Sequence, residues 1–145
     1  MQLIIVNNII TKIIITMKQN DFITVHDEDN NDIIIINIKY IYRITVHETE
    51  PIIIYNYDND NNPLLLHIKE TPDKLYNKLK DKGYNNFIKL HDEDNYPEII
   101  NLNYISSFMK DDDHVECKFN DDYYTEAIPV IEKIEKIEEI VNNLN

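Results

Sequence analysis

The chain predicts an α+β fold, mostly β, built as two tandem β-β-β-β-β-α repeats with antiparallel sheets and an N-terminal β arm. Three observations lead there. His26-Asp27-Glu28-Asp29-Asn30 recurs letter for letter as His91-Asp92-Glu93-Asp94-Asn95, and the flanks align too: Phe22-Ile23 with Phe87-Ile88, Val25 with Leu90, Tyr40-Ile41 with Tyr104-Ile105. A recurrence of this length marks two copies of one folding unit. Short runs rich in Ile, the stiff β-branched residue that packs well on pleated surfaces, alternate with Asp/Asn turns. Each copy also ends in one stretch with helical apolar spacing.

Residues 1–21 stand outside the repeat as an apolar arm, with β runs at Leu3–Val6 and Ile13–Ile15. Repeat 1 spans residues 22–84. Its strands are expected at Phe22–Val25, Ile33–Ile38, Tyr40–Val46, Ile52–Tyr57 and Pro63–Ile68, joined by polar turns. A helix follows: Thr71 is a good N-cap, Pro72 suits the first helical position, and Gly83 supplies the left-handed stop. Leu75 and Leu79, one turn apart, should face the sheet.

Repeat 2 spans residues 85–145 and replays this order. Strands are expected at Phe87–Leu90, Ile99–Leu102, Ile105–Met109, Val115–Phe119 and Tyr123–Glu126, then a long helix over Pro129–Leu144. Val130, Ile134, Ile137, Val141 and Leu144 fall at spacings of 4 and 3 on that helix. Such a stripe either packs a helix on its own sheet or forms a seam with another chain. Ile33–Ile36 and Ile52–Ile54 do not alternate, so these strands should be covered on both faces. One short helix cannot cover both faces of a five-stranded sheet, so the other repeat, the arm or a partner chain must.

The strand with a polar hairpin, Ile36-Asn37-Ile38, Tyr40-Ile41 leading to Ile44, an acidic hairpin, and Lys69-Glu70-Thr71 before the helix together resemble the small flagellar-associated FlbD/SwrD proteins and their phage-encoded relatives. Tyr104-Ile105 and Thr125-Glu126 carry the same pattern in repeat 2. That family usually has Gly in its hairpin turns and is a single unit, whereas Asp and Asn fill those turns here. The strand–helix order is also similar to LytTR DNA-binding domains, but their basic contact residues are expected to have no counterpart here. The resemblance implies a small non-enzymatic module with no catalytic residues to carry over.

Charge and composition exclude several classes. A formal net charge of −13, with one Arg and 13 scattered Lys, argues against direct nucleic-acid binding and repels anionic membranes. A single cysteine, Cys117, excludes an internal disulfide framework and a Cys-based zinc site. One Gly leaves no glycine-rich phosphate loop. Asp27-x-Asp29-x-Asn31 and Asp58-x-Asp60-x-Asn62 open like calcium loops, but positions 6 and 12 hold Asp32 and Ile38, or Pro63 and Lys69. His26 and His91 would make a metal site only if the two copies brought them together.

The reading is therefore of a non-enzyme without cofactors or a metal, intracellular (cytoplasmic) or carried in a phage virion. It is expected to be a structural or protein-binding component of a larger assembly, with protein partners or as a homo-oligomer. The alternative is an acidic inhibitor that mimics nucleic acid to block a basic groove. The candidate interface comprises Ile13 and Ile15 of the arm and the stripe Val130, Ile134, Ile137, Val141 and Leu144. To these is added a patch of Tyr40, Tyr42, Tyr55 and Tyr57, which share strand parity.

Overall fold

A computed structural model describes residues 21–57, 60, 62–120 and 127–144. The arm, with Ile13 and Ile15, and the strand expected at Tyr123–Glu126 lie outside them. Among the described residues, ten strands and two helices follow in order: β1 (Phe22–His26), β2 (Ile33–Asn37), β3 (Ile41–His47), β4 (Glu50–Tyr57), β5 (Pro63–His67), α1 (Pro72–Asp81), β6 (Phe87–His91), β7 (Pro97–Asn101), β8 (Ile105–Asp111), β9 (His114–Phe119), β10 (Ile128–Val130) and α2 (Ile134–Asn142). The β-β-β-β-β-α order thus holds twice. A 3-10 turn, Ile38–Tyr40 or Leu102–Tyr104, separates the second and third strands of each copy. Asn37 and Asn101 cap these turns through their side chains.

The sheets do not follow the repeat boundaries. Each copy divides into a two-stranded hairpin and a three-stranded meander, and the hairpin of copy 2 adds to the meander of copy 1. Three sheets result: β1-β2, then β5-β4-β3-β7-β6, then β10-β9-β8. The central sheet is closed across the copies by Arg43 opposite Ile100 and Ile44 opposite Ile99. An independent five-stranded sheet in each copy, as the repeat suggested, is not formed.

This arrangement explains most of the two-sided apolar runs. Alternate residues of the β6–β7 hairpin enter different cores. Phe87 and Ile99 join Ile23, Val25, Ile41, Ile44, Ile53, Leu75 and Leu79 in the first core. Ile88, Leu90 and Ile100 join Val115, Cys117, Ile128, Val130 and Ile137 in the second. Ile53 likewise faces the first core, while Ile52 and Ile54 pack with Tyr42 on the opposite face. β2 departs from the expectation of cover on both faces: Ile36 is buried, but Ile33 and Ile35 are 67% and 65% exposed.

Helix α1 ends as its sequence predicts. The Thr71 side chain accepts from the Lys74 amide, Pro72 opens the helix, and Gly83 sits at φ +89° after its last turn. The final helix is shorter than its apolar spacing suggests. Ile128-Pro129-Val130 pairs with β9 instead, opposite Cys117, Glu116 and Val115, because strand pairing buries Ile128 and Val130 and an edge strand tolerates a proline. No helix among the described residues is long and apolar enough to cross a membrane.

Candidate functional site

The duplicated histidine has one local role in both copies. The His26 backbone N–H donates to Glu70 Oε2 at 3.0 Å, and its ring Nδ1 lies 2.5 Å from Glu70 Oε1. His91 repeats this with Glu132, at 3.0 and 2.6 Å. The carbonyls of His26 and His91 accept from the Lys69 and Ile131 amides, the residues just before those glutamates. Because a carboxylate can only accept, Nδ1 carries the proton in both pairs. Each glutamate immediately precedes its helix N-cap, Thr71 or Lys133, so each pair clamps a helix entrance to the end of a strand. Burial alone would raise the Glu70 carboxyl, but the hydrogen bonds from His26 outweigh it and hold the group below its ordinary value.

These clamps bear on two readings. The structure does not pair His26 with His91; each histidine is hydrogen-bonded to a carboxylate of its own copy. The counterpart of Glu70 is Glu132, not Glu126, a mismatch that follows from starting the last helix too early. A Glu just before each helix was the available signal, but with 44 and 41 residues between the partners nothing in the sequence links them.

The motif's aspartates shape the turns. Asp27 Oδ1 accepts from the Asp29 and Asn30 amides, and Asp92 Oδ1 from those of Asp94 and Tyr96. Asn31 and Asn95 take the left-handed conformation, at φ 63° and 66°, which Asn tolerates better than most residues. Two other groups offer three metal-ligand atoms each: Glu28, Glu50 and His67, and Asp111, His114 and Glu116. Burial, then Glu50 and Asp29, raise the Glu28 carboxyl, with His67 opposing. All these side chains are at least partly exposed, and exposed acids gather without a metal, so neither group is assigned one.

A buried polar group lies beneath the second turn. Glu98 on β7 is 4% exposed. The Thr45 hydroxyl donates to its Oε1 at 2.5 Å, and Arg43 Nη1 stands 4.0 Å from its Oε2. Oε2 itself, like Arg43 Nε, is buried without a hydrogen-bond partner among the described residues. Burial pushes the Glu98 carboxyl up and Asp92 adds to this, while Arg43 and Thr45 oppose it.

The cationic side chains are less scattered than their spacing first suggests. Residues 69–89 hold Lys69, Lys74, Lys78, Lys80, Lys82 and Lys89 against three carboxylates, a net of +3 on a chain of net −13. Lys74, Lys78 and Lys82 recur every four residues, about 6 Å apart along the axis, beside the buried Leu75–Leu79 face. Lys80 lies 4.6 Å from the Tyr76 ring centroid, and Lys89 pairs with Asp73 at 2.8 Å. At the start of the helix, Lys69 and Lys74 line a pocket of about 310 Å³ with Thr71. A windowed charge count would have found this segment; the chain-wide total concealed it.

Among the described residues, the proposed interface side chains do not gather into one surface. Tyr42 is buried and stacks on Tyr104, with ring centroids 4.0 Å apart. Tyr55 packs against the first core, and Tyr40 is 46% exposed. The 3-10 turn at Tyr40 and the register shift between Ile41 and Arg43 break the assumed parity. Only the backbone of Tyr57 is described. Of the C-terminal stripe, Val130 is on β10 and Ile137 is buried, while Ile134 and Leu144 pack against the second core. Val141 is 36% exposed. The stripe chiefly attaches the helix to its own sheet.

No family model matches the chain. No curated protein matches it either. Among solved structures it is similar to the LytTr DNA-binding domain of a methyl-accepting/DNA response regulator from Bacillus cereus, at TM-score 0.58 and 14% identity. The match covers 83% of this chain and 96% of that one. The likeness in strand–helix order therefore extends to the fold. It overturns the expectation of a structural virion component with no direct hold on nucleic acid, because the matching fold serves DNA binding in that protein.

Proposed function

We propose that this chain is a nucleic-acid-binding module, non-enzymatic in itself, that meets a phosphate backbone through the lysines of residues 69–89. The observation that carries this reading is the concentration of six of 14 cationic side chains in 21 residues of an otherwise acidic chain. The LytTr-type fold supports it. Lys74 and Lys78 on the helix and Lys82 at its C-cap form a cationic row, and Lys69 extends it beyond the helix start. The acidic remainder repels phosphate and would orient the duplex toward this segment. It also limits the affinity, so binding should appear at low ionic strength.

Fluorescence anisotropy with a labelled duplex tests the reading. About four phosphate contacts predict a slope of log affinity against log salt near −3.6, or about a hundredfold loss from 50 to 200 mM. Replacing Lys74, Lys78 and Lys82 by Ala should reduce that slope by about 2.7. A duplex that stays free at 20 mM salt, or a slope unchanged in the triple variant, refutes the proposal.

A further inference from the structure

The joint between the two copies is made once inside the chain, and the corresponding surfaces elsewhere on it stay open. Superposing the 3-10 turns Ile38–Tyr40 and Leu102–Tyr104 places β2 on β7 and β3 on β8. β7 pairs with β3, yet among the described residues the outer edges of β2 and β8 pair with nothing. β2 carries neither a charge nor a proline, the usual guards of an exposed strand edge. The cores show the same asymmetry. Phe87 and Ile99, both 0% exposed, close the first core from the second copy. Their counterparts, Phe22 and Ile35, are 40% and 65% exposed. Ile38, Ile41, Ile44 and Leu79, at most 1% exposed around the first core, correspond to Leu102, Ile105, Phe108 and Val141. Of these the first three are half-buried and Val141 is 36% exposed. Among the described residues the second core therefore lacks a cover, and the chain displays a matching one on β1 and β2.

We propose that a second copy of this chain supplies that cover: β2 of one copy adds to β8 of the next, with Ile36 opposite Ser107 and Ile35 opposite Phe108. This register repeats the internal joint, where Ile100 lies opposite Arg43 and Ile99 opposite Ile44. Ile35 and Phe22 then enter the neighbour's second core, as Ile99 and Phe87 enter the first. The polar groups are compatible with this. Across the internal joint Asn101 Nδ2 donates to the Ile41 carbonyl at 2.8 Å, and Asn37 and Ile105 hold the same two positions. Thr45 and Glu98, hydrogen-bonded across the internal joint, are replaced by Met109 and Ile34. The second joint thus buries an apolar pair there and strands no carboxylate. Because the chain already makes this joint with itself, a second copy fits the open edges better than an unrelated strand. The contact is heterologous, using a different surface of each copy, so it closes into a ring or runs on as a filament.

Gel filtration of the full chain with light scattering tests this. The mass should exceed that of the 17.3 kDa monomer and rise with concentration. Ile35→Asp and Met109→Asp each disable one side of the joint at side chains 65% and 49% exposed, so circular dichroism should show the fold unchanged. Each variant alone should associate at least about thirtyfold more weakly, the loss of a buried apolar anchor. Mixed in equal amounts, the two should form a heterodimer of twice the monomer mass, because each keeps the side that the other lacks. A parent chain that stays monomeric at high micromolar concentration, including one whose edges are covered by residues 1–20, overturns the proposal. So does a folded variant that associates like the parent, or a mixture that yields no heterodimer. The joint uses no residue of 69–89, so its failure and the failure of the nucleic-acid reading are distinguishable.

Discussion

Glu70→Ala is the most informative perturbation of the fold, because it removes the carboxylate that joins helix α1 to the end of β1. Two hydrogen bonds disappear, from the His26 backbone amide and from its ring Nδ1, while the bond from the Lys69 amide to the His26 carbonyl remains. Bonds to a charged acceptor contribute about 1.5–3 kcal/mol each. Part of that is offset, because burying the carboxylate, whose side chain is only 5% exposed, carries its own desolvation cost. A net loss of about 2–3 kcal/mol follows, which for a chain of this size lowers Tm by about 4–12 °C. Urea unfolding monitored by circular dichroism measures it. Glu132→Ala should cost somewhat less, since its side chain is 15% exposed and water can replace it more readily. The acid limb supplies a second readout. The Glu70 carboxyl is held below its ordinary value of 4.5, so its contribution is complete above that value and disappears as pH falls through the lower, folded one. Glu70→Gln should therefore be less stable at pH 7 and show a shallower loss of stability below pH 4.5. A Glu70→Ala protein that unfolds within about 0.5 kcal/mol of the parent, as ordinary surface changes do, would refute the clamp.

Two further predictions concern the cores. Ile99 and Ile100 are sequence neighbours that enter different cores and are both 0% exposed, so Ile99→Ala and Ile100→Ala should each cost about 2–5 kcal/mol in urea unfolding; a surface-like loss in either would show that β7 is not buried on both faces. Cys117 is fully buried, and burial first, then Glu98 and Glu132, push its thiol up to about 12, so thiol-disulfide reagents at pH 8 should react with it only as fast as the protein opens, and immediate native-state labelling would contradict its place in the second core.

The overall element order was legible because local rules set it. The copied His-Asp-Glu-Asp-Asn segment marks corresponding strand ends, Thr71-Pro72 and Gly83 bound a helix by capping geometry, and Leu75 with Leu79 identify its buried face. The start of the last helix was not legible. Val130 keeps helical spacing with Ile134, yet pairing with Val115 on β9 places it in a strand, and helical periodicity contains no record of that partner. The basic segment was readable in principle but was averaged away in a chain-wide charge.

The repeated motif, taken alone, pointed to two related β-rich units and to polar turns that lack the calcium-loop residues at positions 6 and 12. Tertiary structure decided how the units share surface. The β6–β7 hairpin joins the meander of the first copy, and its alternating faces fill two cores at once. It also decided what the motif's histidine does, by bringing it to a glutamate more than 40 residues away. The reason is physical: turns, caps and strand propensity act over a few residues and are written locally. Sheet order, core assignment and the burial of Glu98 depend on distant segments meeting, and are determined only when the chain closes around them.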